Sequence, residues 1–166
     1  MAASAKGDRP DLDPQEHWDR VYTTKPVDGV SWFRPHLERS LTLIERADPH
    51  HSASIVDIGG GHSTLIDDLV KSGRTDLTVL DISQAALDLA RARVEQESNC
   101  PSINWLRADI TSVELPPSRF DIWHDRAVFH FLTAEQERKA YVRQALRAVK
   151  PGGHVIVATF GPDGPK

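Results

Sequence analysis

The stretch that decides the fold is Val56-Asp57-Ile58-Gly59-Gly60-Gly61-His62-Ser63. It joins a short apolar run, an acid and three consecutive glycines to a following helical pattern. Glycine allows a tight backbone turn and lets a ligand approach without meeting a Cβ atom. A helix start directly after it offers free N–H groups to a negative group. The stretch therefore predicts a ligand-binding strand–turn–helix unit, and its alternative is an ordinary turn.

Strand and helix patterns alternate outward from this stretch. The predicted strands are 55–58, 77–81, 103–106, 120–124 and 154–160. The predicted helices cover 63–72, the residues after a Ser83 N-cap, and a segment that ends near Val149 and starts with a capping box of Thr133 and Gln136. Strands separated by helices form a parallel sheet covered on both faces. The pattern predicts an α/β protein with a three-layer αβα architecture, in which the sheet lies between two layers of helices.

The N-terminal third lacks this alternation and predicts a separate region. Residues 1–12 are small and polar, which is typical of a flexible tail. Residues 13–53 predict a helical cap, with Asp13 as the N-cap of a first helix and a second helix starting near Pro35. Residues 54–166 form the predicted core.

Composition excludes several function classes. The formal charge is −4 with acidic and basic residues interleaved, so no basic block predicts a nucleic-acid partner. No apolar stretch has the length of a membrane span, and the N-terminus lacks the apolar region of a signal peptide. A cytoplasmic location is therefore expected. Cys100 is the single cysteine, and the eight histidines show no metal-ligand spacing, so no metal is expected.

Two further acids follow the next two predicted strands. Asp81 stands about twenty residues beyond the glycines, a spacing at which an acid accepts hydrogen bonds from ribose hydroxyls. Its alternative role is to cap the helix at Ser83. Asp109 follows the third strand, where its carboxylate could accept from an adenine amino group while Ile110 covers the ring; its alternative is a plain loop acid. Parallel neighbouring strands would bring both acids and Asp57 to one rim.

From about residue 52 onward the chain resembles the class I, seven-β-strand methyltransferases that use S-adenosylmethionine. The resemblance is carried by Asp57-Ile58-Gly59-Gly60-Gly61, Asp81, Ala108-Asp109, residues 120–125, and Leu146-Arg147-Ala148-Val149-Lys150-Pro151-Gly152-Gly153. It implies a doubly wound, Rossmann-like, mostly parallel sheet. It also implies transfer of a methyl group from S-adenosylmethionine to a small molecule or a protein side chain.

The resemblance also implies roles for individual residues. The glycines would cradle the methionine and ribose, Asp81 would hold the ribose, Asp109 the adenine, and Asp57 the methionine amine. The expected cofactor-binding residues are Asp57, Gly59, Gly60, Gly61, Asp81, Ile82, Asp109, Ile110, His124, Trp18 and Trp32.

A looser resemblance covers the N-terminal region. Trp18-Asp19-Arg20-Val21-Tyr22 and Val30-Ser31-Trp32-Phe33 are similar to the N-terminal cap of small bacterial methyltransferases and of some eukaryotic protein-lysine methyltransferases. This resemblance implies that Trp18 and Trp32 fold over the cofactor. The alternative is that these rings pack the N-terminal helices onto the sheet, and the sequence leaves both open.

The acceptor side is marked by three titratable residues. His124 and Asp125, at the predicted end of the fourth strand, are the expected catalytic residues, with His130 as a further possible base. The alternatives are that Asp125 pairs with Arg126 or caps a helix, and that His130 packs among apolar neighbours. A base is not required if the enzyme aligns the acceptor with the activated methyl group and excludes water.

The end of the chain predicts an incomplete core. The resembling family continues with two further strands, so residues 154–160 would form an apolar edge strand. We expect this edge either to pair with a second copy as a homodimer or to make the protein prone to aggregation. Two other functions stay open. A nicotinamide dehydrogenase is disfavoured because the third glycine of its fingerprint falls on Thr64. A non-catalytic binding module is the second.

Overall fold

The computed structural model describes residues 13–24, 34–97, 100–126 and 128–159. Within them, the α-helices are α1 (Pro14–Thr24), α2 (Glu38–Ala47), α3 (Leu65–Lys71), α4 (Gln84–Val94) and α5 (Glu135–Ala148). The strands are β1 (Ile55–Ile58), β2 (Leu77–Asp81), β3 (Asn104–Arg107), β4 (Phe120–Arg126) and β5 (Val149–Ala158). A short 3₁₀ helix covers Phe129–Phe131.

The strands form one parallel sheet in the order β3-β2-β1-β4-β5. The predicted α/β fold with a Rossmann-like parallel sheet is thus confirmed. Chain order reverses between β1 and β4, where Asp57 pairs with His124 and Ile58 with Asp125. In such sheets ligands bind beyond the carboxyl ends of the strands at this reversal.

Two apolar clusters cover the two faces of the sheet. Successive residues of a strand point to opposite faces, so Ile55 packs in a cluster with α2, α3 and α4, whereas Val56 packs in the cluster that contains Tyr141 of α5. All residues of β1 and β2 are buried, which explains why their sequences are almost continuously apolar. The few acids within these strands are therefore buried as well.

Two of the predicted helix starts are confirmed, and a third is wrong. The Gln15 N–H donates to Asp13 Oδ1 at 3.2 Å, and the Ala86 N–H donates to Ser83 Oγ at 3.2 Å. In α5 the N-cap is Ala134, not Thr133, and the Ala134 N–H donates to the Glu137 carboxylate at 3.0 Å. The helix starts one residue later because Glu137 closes this loop while Gln136 does not.

The last two strands differ from their predicted bounds. β4 continues to Arg126, so His124 lies within the strand and not at its end. β5 begins at Val149 and contains the Pro151-Gly152-Gly153 segment, with a register shift against β4 between Phe120 and Ile122. Gly152 has a φ of 81°, which accommodates this irregularity.

None of the described helices has the length and apolar composition needed to cross a bilayer.

Candidate active site

A cleft of about 220 Å³ opens at the carboxyl ends of β1, β2 and β3. Six of the residues expected to bind the cofactor line it: Trp18, Gly59, Asp81, Ile82, Asp109 and Ile110. The parallel sheet brings them together because each follows, or ends, a neighbouring strand, while Trp18 comes from α1. Most of the exposed lining is apolar, with the carboxylates at defined positions, as is usual for small-molecule sites.

Gly59 lines the cleft, and the turn over residues 59–61 that it begins, which we name the glycine floor, has no room for side chains. Gly59 has a φ of 69°, and its N–H donates to the Leu80 carbonyl at 2.7 Å. A Cβ atom would lie 2.1 Å from Val128 Cγ2 at Gly59, and 2.3 Å from an Asp57 carboxylate oxygen at Gly60. At Gly61 it would lie 2.9 Å from Asp81 Oδ2. Gly60 and Gly61 thus let the backbone approach the two carboxylates closely, and Gly59 lets it approach Val128.

Asp81 lies at the centre of the cleft and is only 5% exposed. Its Oδ1 accepts the Ser83 N–H at 2.8 Å, and its Oδ2 accepts the Gly61 N–H at 3.1 Å. Burial, and to a lesser degree the charge of Asp57, raise the pKa of Asp81 to about 6, although these hydrogen bonds lower it. The acid orders the start of α4, and its remaining lone pairs can accept from hydroxyl groups of a ligand.

Asp109 begins a tight turn at the end of the cleft next to β3. Its Oδ1 accepts both the Thr111 N–H at 2.8 Å and the Thr111 hydroxyl at 2.7 Å. Ile110 is buried and lines the same part of the cleft, together with Ile82. The arrangement offers an apolar surface beside a carboxylate, which suits a flat ring that carries an amino group.

A small cavity of about 30 Å³ adjoins the cleft and is lined by Asp57, Gly59, Arg34 and Arg126, among others. Asp57 is buried, and its Oδ1 bonds to His124 Nδ1 at 2.7 Å. Its Oδ2 is buried without a hydrogen-bond partner among the described residues. A buried carboxylate oxygen without a partner is costly. Asp57 Oδ2 and the glycine floor therefore fit a ligand that brings its own donor.

The structure counts against His124 and Asp125 as catalytic residues, and against His124 as a direct cofactor ligand. His124 is 1% exposed, and its Nε2 bonds to Ser40 Oγ at 2.8 Å, so both ring nitrogens are engaged. Asp125 lies on the opposite face of the sheet and caps the 3₁₀ helix through the Val128 and Phe129 N–H groups. The capping alternative for Asp125 accounts for its position, and neither residue lines the cleft.

Helix α1 closes one side of the cleft. The Trp18 ring contacts the Phe131 ring at a centroid distance of 5.1 Å, and Tyr22 stacks on His62 at 5.1 Å. Asp19 Oδ1 accepts the Ser83 hydroxyl at 2.5 Å, which ties α1 to the N-terminus of α4. Trp18 and Tyr22 both pack against neighbours and line the cleft, so packing is observed for Trp18 and contact with the cofactor stays a prediction. The expected site residue Trp32 lies outside the described residues.

Sequence reasoning missed several residues of the cleft. They are Thr111, Arg126, Val128, Phe131, Leu132 and Glu137. Arg126 reaches the site because β4 is longer than its apolar run, and the sequence carries no signal for that extension. Phe131 and Leu132 follow in the connection to α5, and were interpreted only as apolar neighbours of His130.

Residues 55–153 match the family model of the methyltransferase domain, which covers β1 through Gly153. The chain belongs to the class I methyltransferases, which use S-adenosylmethionine as methyl donor. The match includes the glycine floor, Asp81 and Asp109, and it excludes the dehydrogenase interpretation.

Similar curated proteins carry methyltransferase names. The chain is 27% identical to EEF1A lysine methyltransferase 2 of Danio rerio and 26% identical to that of Homo sapiens, over 89% of this chain and 69% and 68% of those proteins. It is 26% identical to the ubiquinone/menaquinone biosynthesis C-methyltransferase UbiE of Ruegeria sp., over 68% of this chain and 44% of that protein.

A solved structure supports the fold. The N-methyltransferase NodS of Bradyrhizobium japonicum, in complex with S-adenosyl-L-homocysteine, superposes with a TM-score of 0.63 at 18% identity. The superposition covers 86% of this chain and 71% of NodS.

Proposed function

We propose that the cleft binds S-adenosylmethionine through the carboxylates at the carboxyl ends of β1, β2 and β3. Asp81 accepts from the ribose hydroxyls, Asp109 accepts from the adenine amino group, and Asp57 Oδ2 accepts from the methionine amine. Ile82 and Ile110 cover the adenine ring, and Trp18 closes the site. The unpartnered Asp57 Oδ2 beside the glycine floor is the observation that carries this proposal.

The acceptor that best suits the cleft is an amine, and we propose the side chain of a protein lysine. Aromatic rings of Trp18, Tyr22 and Phe131 and the carboxylate of Glu137 line the same cleft as Asp81. Aromatic faces and carboxylates attract ammonium groups. The similarity to EEF1A lysine methyltransferase 2 across most of the chain supports a protein acceptor.

The residues of the chain contribute mainly by holding and aligning the reactants. When bound, S-adenosylmethionine supplies a methyl group that its positive sulfur activates. Asp57 and Asp109 hold the two ends of the donor and Asp81 holds its ribose. Trp18 and Phe131 exclude water from the space between donor and acceptor. Alignment of this kind lowers the barrier without a general base. Only the neutral form of an amine acceptor has the lone pair that attacks the methyl carbon, so the ammonium group that the cleft attracts must lose its proton before transfer.

A direct test uses S-adenosylmethionine with a labelled methyl group. The protein is incubated with elongation factor 1A and with lysine-containing peptides, and labelled residues are located by mass spectrometry. We expect label on a lysine, and none with a Gly61→Val variant that has lost the donor site. Label confined to other residue types, or no label on any protein, would contradict the lysine proposal.

A small-molecule acceptor is the second candidate, because UbiE is also similar over much of the chain. The same assay distinguishes the two acceptors. Methyl transfer to a quinone precursor, with proteins left unlabelled, would favour this candidate.

We also propose that β5 pairs with β5 of a second copy. β5 lies at one edge of the sheet that the described residues form, and Val155 and Val157 on it are about half exposed. An apolar edge strand is a template for pairing with another chain. Sedimentation velocity should show a dimer that Val157→Lys dissociates, whereas a monomer at all concentrations would contradict the pairing.

A cytoplasmic location and the absence of a nucleic-acid partner stay predictions.

A further inference from the structure

Three buried polar side chains form a continuous hydrogen-bonded chain from α2 to the cofactor site. Ser40 Oγ lies 2.8 Å from His124 Nε2, and His124 Nδ1 lies 2.7 Å from Asp57 Oδ1. Their exposures are 7%, 1% and 3%. We name this chain the Ser40–His124–Asp57 relay. It crosses from the helical layer into the sheet, through the paired positions Asp57 and His124 of β1 and β4.

The directions of the two hydrogen bonds follow from the groups involved. A carboxylate only accepts, so His124 Nδ1 carries the proton that it donates to Asp57 Oδ1. In the neutral ring, Nε2 is then the acceptor, and the Ser40 hydroxyl donates a hydrogen bond to it. Ser40 thus selects the tautomer of His124, and this tautomer is the one that can bind Asp57.

The relay determines which oxygen of Asp57 faces the site. Because Oδ1 is held by His124, rotation of the carboxylate is restricted, and Oδ2 stays buried without a hydrogen-bond partner in the part of the chain that the structure describes. Oδ2 is also the atom that a Cβ at Gly60 would approach to 2.3 Å, so it lies against the glycine floor. We propose that Ser40 and His124 are positioning residues that aim Asp57 Oδ2 at the amine of the methyl donor.

A second set of buried, hydrogen-bonded side chains lies on the opposite face of the sheet and serves as a structural comparison for the relay. Tyr141 receives the Trp123 Nε1–H at 2.8 Å and donates to Asp125 Oδ2 at 2.6 Å. Asp125 also accepts from Val128 and Phe129, so both of its oxygens have protein partners. The relay differs because its carboxylate keeps one oxygen unpartnered, in a cavity beside the cleft.

The inference rests on the proposed function. A comparison of two ligands distinguishes a failure of the positioning role from a failure of the proposed function. S-adenosylhomocysteine carries the methionine amine, whereas methylthioadenosine has the same nucleoside without the amino acid part. A positioning role of the relay predicts an effect on the first ligand only. Affinities are measured by calorimetry on the full chain, with thermal unfolding measured in parallel.

We expect His124→Leu to weaken S-adenosylhomocysteine binding about 10- to 100-fold, because a hydrogen bond to a charged group is lost. Ser40→Ala should weaken it about 2- to 10-fold. Both variants should bind methylthioadenosine within about twofold of the parent. His124→Asn, whose amide can still donate near the Nδ1 position, should restore most of the affinity for S-adenosylhomocysteine.

Ser54→Ala is the matched control, because Ser54 is also a buried serine whose hydroxyl is hydrogen-bonded, to Arg119 and Asp121, at the other end of the sheet. It should lose stability without a change in either affinity. Equal loss of both ligands in His124→Leu, or unchanged S-adenosylhomocysteine binding, would overturn the positioning role alone. A parent that binds neither ligand would overturn the proposed function and this inference with it.

Discussion

Carboxylates lie at both ends of the parallel sheet, and their partners differ. At the amino ends of the strands, each of three acids forms an ion pair with a basic side chain. The pairs are Asp48–Arg74 at 2.5 Å, Asp76–Arg119 at 2.6 Å and Asp121–Lys150 at 2.7 Å. At the carboxyl ends, Asp81 accepts from backbone N–H groups, Asp109 accepts from Thr111, and Asp57 bonds to His124.

The pKa values express the same contrast. Burial raises the pKa of Asp121, but hydrogen bonds from Lys150 and Ser54 outweigh it and bring the value down to about 2. For Asp81 burial dominates, and the pKa rises to about 6. The charged form of Asp121 therefore stabilises the fold, whereas the charged form of Asp81 is held at a cost. Such a cost is typical of a site that a ligand completes.

The largest expected effect is at the glycine floor. Gly61→Val should abolish S-adenosylhomocysteine binding in calorimetry, by about 100-fold or more, because its side chain would meet Asp81 and Ala86. Gly73→Ala is the control, since Gly73 has a φ of 85° but no atom within 4 Å of its Cβ position. It should cost about 1 kcal/mol of stability and leave binding unchanged. Binding retained by a folded Gly61→Val would remove the glycine floor from the site.

The pH dependence of stability should have opposite signs at the two ends. The folded pKa of Asp81 lies above its unfolded value of 3.8, so its favourable contribution is complete below 3.8 and is lost as pH rises through about 6. One pKa unit corresponds to about 1.4 kcal/mol. As pH rises from 3.8 through about 6, the free energy of unfolding of Asp81→Asn should therefore increase relative to that of the parent, by up to about 3 kcal/mol.

The folded pKa of Asp121 lies below 3.8, so its contribution is present above 3.8 and is lost as pH falls through about 2. The stability difference between the parent and Asp121→Asn should shrink in that range. Urea unfolding at several pH values measures both differences. The same sign at the two ends would contradict the comparison.

Affinity for S-adenosylhomocysteine, measured at a single pH, should distinguish the acids at the two ends of the sheet. Asp81→Ala should weaken S-adenosylhomocysteine binding by about 1.5–3 kcal/mol, because a charge-assisted bond to the ribose is lost. Asp121→Ala should destabilise the fold and leave the affinity unchanged. If Asp81→Ala binds as the parent does, Asp81 serves only to order the start of α4.

The smallest expected effect is at the wall formed by α1. Trp18→Ala removes a ring that contacts Phe131 and lines the cleft, and it should weaken cofactor binding by about 1 kcal/mol. Leu89→Ala, on the exposed surface of α4, should have no effect. Unchanged affinity in Trp18→Ala would leave this ring with a packing role alone.

The sequence predicted the parts of the site that follow from strand ends. Asp57, Asp81 and Asp109 each stand at the end of an apolar run, and the parallel sheet brings such ends together. The glycines predicted a ligand-binding turn because three in succession are unfavourable in an ordinary turn. The N-cap at Ser83 was readable from residue type alone.

The parts that the sequence did not predict depend on side-chain direction and on contacts between distant segments. The apolar run of β4 ends before the strand does, so His124 was placed at the rim, whereas it faces α2 within the strand. Asp125, one residue later, faces α5 by the alternation of the strand. The contact of Ser40 with His124 joins residues far apart in the chain, and no local sequence pattern predicts it.

A crystal structure with S-adenosylhomocysteine tests the central claim most directly. We predict the ligand in the cleft between α1 and the carboxyl ends of β1, β2 and β3. Its ribose hydroxyls should bind Asp81, its adenine should lie against Ile110 beside Asp109, and its amine should bind Asp57 Oδ2. A ligand bound elsewhere, with Asp57 Oδ2 still unpartnered and Asp81 in contact only with backbone N–H groups, would contradict the account.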